Sequence, residues 1–356
     1  MDFALDDDQR MVVDTVRRFA ERDLRSWAAD ADRAGAPPDR LLHAAGELGL
    51  GSDAVPADAG GLLEGSYSHL LRALRGFELG RGCAAMAALL ECNVEPALAV
   101  GRWGSPEAKQ AVFAALEAGG LATLVHDSRG ALTVDGDRIS GKLGPAPALA
   151  GAKYVLVATG GLLALLPGES LKREAITPSG WRAARWATAA LEATRVPAEL
   201  VLAKGEAAAA AIAEVLAWAR VSLAARAVGV AAAAMEHADH YSKERVQFGQ
   251  PIGRFESLIR LRDDAQTQIH AARLVVLHAA WQLDRGHADA HDSASRARVI
   301  AGDCVARATI DAVQIFGGYG FVNDYPVEKL MRDARAFEAL HGDERFGRVL
   351  AQKESR

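Results

Sequence analysis

The stretch AAAAAIAEVLAWARVSLAARAVGVAAAAMEHADHYSKERV, residues 207–246, decides the fold. Alanine has the highest helix propensity of all residues, and this run contains no proline, so it predicts one long helix. Its small side chains let neighbouring helices approach closely. Helical sequence continues to about Val349, and we therefore expect a helical bundle over residues 205–356.

The sequence N-terminal to this bundle has a different texture. Short apolar runs such as LATLV (121–125), YVLVAT (154–159) and LLALL (162–166) alternate with turns, among them DGDR at 135–138. This spacing is typical of β-strands. We predict a small β domain over residues 120–204.

Residues 1–119 again read as helices. Asp6 followed by Gln9 has the spacing of a capping box at a helix start. Four apolar residues then fall on one predicted helical face: Met11, Val12, Val16 and Phe19. Further helices are predicted over 40–48, 66–79 and 84–100. The fold class expected is mostly α with a central small β domain.

Composition excludes several functions. The 356 residues carry a formal net charge of -5, which gives no basic surface for nucleic acid or an anionic membrane. The three cysteines, Cys83, Cys92 and Cys304, lack CxxC or Cys/His spacing, so we expect neither a disulfide framework nor a metal site. We also expect no signal peptide, no membrane span and a cytoplasmic location.

Two segments could bind a ligand. In ERVQFGQPIGRFESL (244–258), Arg245 stands where the long helix should end, before a next helix that begins near Phe255. An arginine there can hold a phosphate, although a solvated arginine is the simpler interpretation. In QIFGGYGF (314–321), adjacent glycines permit close approach of a ligand or form a plain turn. Because a third glycine and a preceding strand are missing, we reject a Rossmann site.

Four motifs together resemble the acyl-CoA dehydrogenase family, flavoenzymes that desaturate acyl thioesters. They are MDFALDDDQRMVVDTVRRFAERDL (1–24), RVQFGQPIGRF (245–255), VQIFGGYGF (313–321) and YPVEKLMRDAR (325–335), and they occur in the order that the family has. The resemblance implies an N-terminal helical domain, a β-barrel or sandwich domain, and a C-terminal four-helix bundle.

The resemblance also implies ligands and partners. FAD would be held, on a neighbouring subunit, by Arg245, Gln247, Phe248, Gln314, Ile315, Phe316, Gly317, Gly318 and Asp343. An acyl-CoA thioester would lie near Arg220 and Gly342. The chain would assemble as a homo- or heterotetramer, or as a dimer with a related chain. Its electron acceptor would be an electron-transfer flavoprotein or a similar protein.

The sequence departs from the family at the catalytic base. The usual glutamate is replaced by His341, and Asp343 stands where a hydroxyl residue would follow. The alternative base position, just before Arg220, is Ala219. The stretches that hold the flavin ring in the family correspond to LVHDSRG (124–130) and GKLGPAPALAGAKY (141–154), which lack its motifs.

Three hypotheses remain open at this stage. The chain is an active dehydrogenase with His341 as the base, since imidazole titrates near neutral pH. Alternatively, it is a non-catalytic subunit that lends adenosine contacts to a partner chain. The third hypothesis is a flavin-free binding or scaffold protein on the same fold. Glu338 would reach the same site only after a rearrangement of its loop.

Overall fold

A computed structural model describes residues 5–341. The alanine-rich stretch forms a single helix of 40 residues, Gly205–Glu244, as predicted. It is the eighth α-helix of the described chain and is called α8. Three further helices complete the C-terminal bundle: α9 Glu256–Asp284, α10 Ala290–Phe316 and α11 Pro326–Phe337. The tip between α8 and α9 carries two short paired strands, β9 Val246–Gln247 and β10 Gln250–Pro251.

Seven helices precede the β domain: α1 Asp7–Phe19, α2 Arg25–Ala34, α3 Leu41–Gly46, α4 His69–Gly82, α5 Ala84–Leu90, α6 Val94–Trp103 and α7 Pro106–Glu117. The capping box of Asp6 and Gln9 is confirmed. The predicted apolar face of α1 was wrong in part. Val16 and Phe19 are buried as expected, but Val13 joins them, while Met11 is 60% and Val12 39% exposed.

The predicted helix over 84–100 is broken into α5 and α6. The side chain of Asn93 lies at the break, where its Oδ1 accepts a hydrogen bond from the Ala122 backbone N–H at 2.7 Å. Its Nδ2 donates to the Gly120 carbonyl oxygen at 3.3 Å. These contacts to the start of the β domain replace continued helical hydrogen bonding.

Eight strands form the β domain: β1 Leu121–His126, β2 Leu132–Asp135, β3 Arg138–Ala146, β4 Ala152–Thr159, β5 Leu162–Pro167, β6 Lys172–Ala175, β7 Ala187–Arg195 and β8 Val201–Lys204. They make two four-stranded sheets, ordered β1-β4-β5-β8 and β2-β3-β7-β6. The pairing of β1 with β4 is parallel.

The side chains of β4 point alternately to two different cores, which shows how the two sheets and the helices pack in layers. Val155 and Val157 pack into the core between the two sheets, whereas Leu156 and Ala158 pack against helices of the N-terminal region. Successive side chains of a strand point to opposite faces. The first sheet is therefore covered on both faces, which accounts for the continuous apolar runs in its sequence.

Glycines allow α4 and α8 to meet closely. A Cβ added at Gly229 of α8 would overlap the Phe77 carbonyl oxygen of α4, and one at Gly80 of α4 would overlap the Arg226 backbone of α8. Only glycine leaves room for backbones at this distance. The N-terminal and C-terminal helices share one apolar core as a result.

Two polar contacts tie distant segments together. Asp284, at the end of α9, accepts hydrogen bonds from the backbone N–H groups of His69 at 2.6 Å and Leu70 at 3.0 Å, which open α4. Asp333 of α11 accepts one from the Trp181 backbone N–H at 2.7 Å. The second contact fixes α11 against the connection between β6 and β7.

Two stretches of the described chain are long and apolar enough to cross a membrane by length and composition, contrary to the expectation from sequence. They are Ala84–Trp103 and Gly205–Glu244, and their most apolar windows are 89% and 67% buried within the fold. Core helices of a globular protein commonly have this character, so this is weak evidence for a membrane span.

Candidate functional site

A cleft opens where α8 and α10 end together. Its volume is about 530 Å³, within the range of about 300–1,000 Å³ that ligand pockets usually occupy. We call it the helix-end cleft. Its walls are formed by Tyr241, Arg245, Gln247, Ile252, Ile315, Phe316, Gly317, Gly318, Tyr319 and Val322.

Arg245 is the cationic group of the helix-end cleft. It is the residue that ends α8, and its guanidinium carbon lies 5.4 Å from the centre of the Tyr319 ring. No carboxylate of the described residues forms an ion pair with it. A guanidinium placed in this way has its N–H donors available for a phosphate or carboxylate.

The glycine pair supplies an open backbone to the same cleft. Gly317 has a φ of +58°, a left-handed conformation that favours glycine. A Cβ at Gly317 or Gly318 would meet no heavy atom within 4 Å, so the backbone borders open space. Below it, Tyr241 stacks on Phe316 with 4.2 Å between ring centres. Arginine, open backbone and aromatic rings together suit a phosphate-bearing ligand with a flat ring.

Most of the predicted cofactor residues therefore come together, but two do not line the helix-end cleft. Phe248 is 92% exposed and makes an edge contact with Phe255, 6.2 Å between ring centres. Gln314 lies on the exposed face of α10. The prediction missed Tyr241 and Tyr319, although Tyr241 lies four residues before Arg245 and thus on the same helical face.

A second, smaller cavity lies between the β domain and the end of α11. We call it the seam cavity, and its volume is about 160 Å³. The β domain contributes Leu124 to Arg129, Ala131, Leu132 and Lys142 to Ala146, and the segment after α11 contributes Glu338 to His341. It contains the position where the sequence predicted a catalytic base.

His341 is held by its backbone more than by its side chain. Its φ is +55°, and its carbonyl oxygen accepts a hydrogen bond from Arg220 Nε at 3.2 Å. Arg220 Nη1 also donates to Ser295 Oγ at 3.2 Å. Arg220 is thus buried with partners, as expected for an arginine within an alanine-rich helix.

The surroundings of His341 are electropositive. Burial holds the pKa of its imidazole well below the ordinary value of 6.5, and the nearby His126, Arg226, Arg298 and Arg220 lower that pKa further. Burial also lowers the pKa of His126 to about 4. Both imidazoles are accordingly neutral at pH 7, and both resist taking up a proton.

The carboxylates of the seam cavity are already bound. Asp127 accepts hydrogen bonds from the Ala131 N–H at 2.8 Å, the Leu132 N–H at 3.0 Å and Thr159 Oγ1 at 3.1 Å. Glu338 forms an ion pair with Arg335 at 2.5 Å. Neither is placed as a free base. Gly342 and Asp343, the other predicted site residues, lie outside the described part of the chain.

No cluster of three or more histidine, cysteine, aspartate or glutamate side chains with metal-binding geometry occurs within residues 5–341. All three cysteines are buried as free thiols.

Comparison with known proteins identifies the family. The N-terminal domain of acyl-CoA dehydrogenases matches residues 6–120, and the C-terminal domain matches residues 209–353. Cyclohex-1-ene-1-carbonyl-CoA dehydrogenase of Geobacter metallireducens is 30% identical over 97% of this chain and 97% of its own length. The chain belongs to the acyl-CoA dehydrogenase family.

Solved structures agree with this assignment. Butyryl-CoA dehydrogenase from Megasphaera elsdenii superimposes with a TM-score of 0.89 at 26% identity, covering 100% of both chains. PigA, solved with FAD and proline, superimposes with a TM-score of 0.88 at 19% identity over 100% of this chain and 99% of its own. At that identity PigA shows the fold alone. The predicted fold, with helical N- and C-terminal regions around a β domain, is confirmed.

Proposed function

We propose that this chain is a non-catalytic subunit of an FAD-linked acyl-CoA dehydrogenase assembly. Its helix-end cleft would hold the adenosine diphosphate part of an FAD whose flavin ring lies on a related partner chain. The observation that carries the proposal is the contrast between an open helix-end cleft of about 530 Å³ and a seam cavity of about 160 Å³. Only the first reaches the usual size of a ligand pocket.

The residues of the helix-end cleft fit FAD. Arg245 would bind the pyrophosphate, the Gly317 and Gly318 backbone would border it, and the rings of Tyr241 and Tyr319 would pack on flat parts of the cofactor. When bound, FAD accepts the hydride that leaves the acyl chain.

His341 supports a subunit that does not itself remove the α-proton. A general base is most effective when its pKa lies near the working pH. The buried, electropositive surroundings of His341 keep its pKa well below 6.5, so its imidazolium would be costly to form. Because Asp127 and Glu338 are engaged elsewhere, we expect the partner chain to supply a glutamate for this step.

The assembly would take an acyl-CoA thioester and pass electrons to an electron-transfer flavoprotein or a similar acceptor, in the cytoplasm. We propose a dimer or tetramer that includes a related chain. The relatives named above act, by their names, on butyryl-CoA and cyclohex-1-ene-1-carbonyl-CoA.

Purification of the chain alone and together with an adjacently encoded family member tests the proposal. We expect flavin absorbance only in the mixture, with bleaching on addition of an acyl-CoA. Arg245→Gln should weaken FAD retention by at least about tenfold, since it removes a charge-assisted contact. Arg260→Gln is the matched control, because Arg260 is exposed and its ion-pair partner among the described residues is Glu256, one turn earlier on α9.

Other outcomes would decide between the remaining hypotheses. Turnover by the isolated chain that is lost in His341→Ala would establish His341 as the base and contradict the proposal. A protein that stays colourless with every partner would favour the flavin-free scaffold.

A further inference from the structure

The proposed function gives the seam cavity no role. Its carboxylates have hydrogen-bond or ion-pair partners, whereas two of its cations have no carboxylate partner among the described residues. Its two carboxylates are already bound: Asp127 has three hydrogen-bond donors, and Glu338 is paired with Arg335. The charge of Glu338 is therefore offset by a cation, and the oxygens of Asp127 are occupied by neutral donors although its charge still acts on His126.

Two cations of the seam cavity have no such partners among the described residues. Arg129 and Lys142 both line it and are exposed at its mouth. Within residues 5–341, neither forms an ion pair with a carboxylate. Their positive charges face a cavity that a solute can enter from outside.

The interior of the seam cavity adds a polar atom without a partner. His126 Nδ1 is buried, and no described group forms a hydrogen bond with it. Buried polar atoms are almost always satisfied by protein or by a bound solute. An orphan of this kind in a cavity wall leaves a place for a water or a bound solute, and the neutral imidazole would donate to an anion in its Nδ1–H tautomer.

A further positive charge, Arg226, is buried near His341 of the cavity wall and lowers the pKa of that imidazole, although Glu91 and Glu95 offset part of it. Arg226 is 7% exposed, its Nε has no hydrogen-bond partner among the described residues, and its guanidinium carbon lies 5.9 Å from the centre of the Trp181 ring. Trp181 in turn contacts Phe337 at the end of α11, 4.7 Å between ring centres. Burial in a region of low dielectric lets such a charge act over a longer distance than it would in water.

From this arrangement we propose that the seam cavity binds a small oxyanion, with Arg129 and Lys142 at its mouth and His126 at its inner wall. A volume of about 160 Å³ corresponds to roughly five waters, enough for a phosphate or a carboxylate group and too small for a flavin ring with its side chain. The cavity lies between two structural units, a common position for ligand sites. The oxyanion site would take the place of the flavin-ring site that this family has in the same region.

Thermal unfolding of the isolated chain, without FAD or partner, tests the site. Inorganic phosphate, acetate and ADP are titrated at constant ionic strength against chloride, and ADP serves to detect phosphate carried on a larger molecule. The titrations use the Arg245→Gln variant, whose helix-end cleft has lost its cation, so that a response reports the seam cavity. We expect a saturable rise in Tm with at least one of the three oxyanion probes, since a ligand that binds only the folded state stabilises it. A stronger response to ADP than to phosphate would assign the site to the phosphate of a nucleotide. The reverse would assign it to a free anion.

Variants make the test specific. Arg129→Gln with Lys142→Gln should weaken the apparent affinity by at least about tenfold through loss of both charges, and the Tm in chloride should stay unchanged because both side chains are exposed. Arg138→Gln, on strand β3 but outside the cavity wall, is the control and should leave the affinity unchanged. The absence of any saturable response, or one that survives the double substitution, would overturn the proposal. Because Arg245→Gln removes the cation of the helix-end cleft and neither FAD nor a partner is present, failure of this test leaves the proposed function untouched.

Discussion

Arg220 Nε donates a hydrogen bond to the carbonyl oxygen of His341 at 3.2 Å, joining the middle of α8 to the segment after α11 across 121 residues. Arg298 of α10 donates in the same way to the carbonyl oxygen of Phe337. The Phe337 carbonyl at the end of α11 and the His341 carbonyl in the segment that follows are therefore each held by an arginine of another helix, and positive charge near a helix C-terminus is favourable.

Loss of this contact should loosen the end of α11. Arg220→Met keeps the length of the side chain but removes its donors, and we expect the free energy of unfolding to fall by about 2–3 kcal/mol, the usual value for a buried hydrogen bond to a charged group. Chemical denaturation measures this loss. Hydrogen exchange at the amides of residues 338–340 should become faster.

The matched control for Arg220 is Arg138→Met. Arg138 also donates to a backbone carbonyl, that of Ala193 at 2.9 Å, but at an exposed position. We expect a change below about 0.5 kcal/mol, as for ordinary surface substitutions. Equal losses of unfolding free energy in the two variants would show that the contact of Arg220 with His341 stabilises the fold no more than an exposed hydrogen bond does.

Stability should fall in mild acid because of His69. This imidazole stacks on Trp218, 5.9 Å between ring centres. Its pKa is lowered to about 3, chiefly by burial and then by Arg72. Between pH 6.5 and about 3 the unfolded chain therefore binds a proton at His69 that the folded chain does not. Stability is complete above pH 6.5 and falls on acidification by about 1.4 kcal/mol per pH unit.

The pH dependence can be assigned by substitution. His69→Gln should reduce the slope of unfolding free energy against pH by about 1.4 kcal/mol per unit near pH 5, whatever its effect at pH 7. His240→Gln, at an exposed position near the end of α8, is the control and should leave the slope unaltered. A slope that persists in His69→Gln would assign acid sensitivity to other groups.

The crossing of α4 and α8 should not tolerate a methyl group. Gly229→Ala places a Cβ against the Phe77 carbonyl oxygen, and we expect a loss of more than about 2 kcal/mol because backbones must separate. Gly46→Ala is the control, since its Cβ would meet nothing within 4 Å. It should be neutral or stabilise by up to about 1 kcal/mol. A denaturation curve of Gly229→Ala that overlays that of the native protein would contradict the close approach.

The sequence predicted those elements whose signals are local. The Asp6 and Gln9 box, the alanine-rich α8 and the apolar strands all formed as expected. The buried face of α1 and the break before α6 were not predictable, because they depend on partners far along the chain. Packing against α4 decides which apolar residues of α1 are buried, and Asn93 ends a helix by binding residues near 120.

The candidate site shows the same division between features with local sequence signals and features that depend on distant packing. Arg245 and the glycine pair carry local signals of a helix end and an open turn, and they do meet in one cleft. Nothing in the sequence tells that Phe248 points away from this cleft or that Tyr241 and Tyr319 enclose it, since these facts depend on how α8 and α10 end side by side. The motifs predicted the segments that line the helix-end cleft but not each residue of its wall.

The hydrogen bonds that Asp284 accepts from the first amides of α4 affect how the chain folds during synthesis. During synthesis, the N-terminal helices leave the ribosome long before residue 284 has been added, so the first amides of α4 lack their acceptor and its face towards α8 lacks its cover. The N-terminal helices therefore stay partly folded, with apolar surface exposed, until α8 and α9 have been synthesised. We expect the dependence of the nascent chain on chaperones to be greatest in this interval.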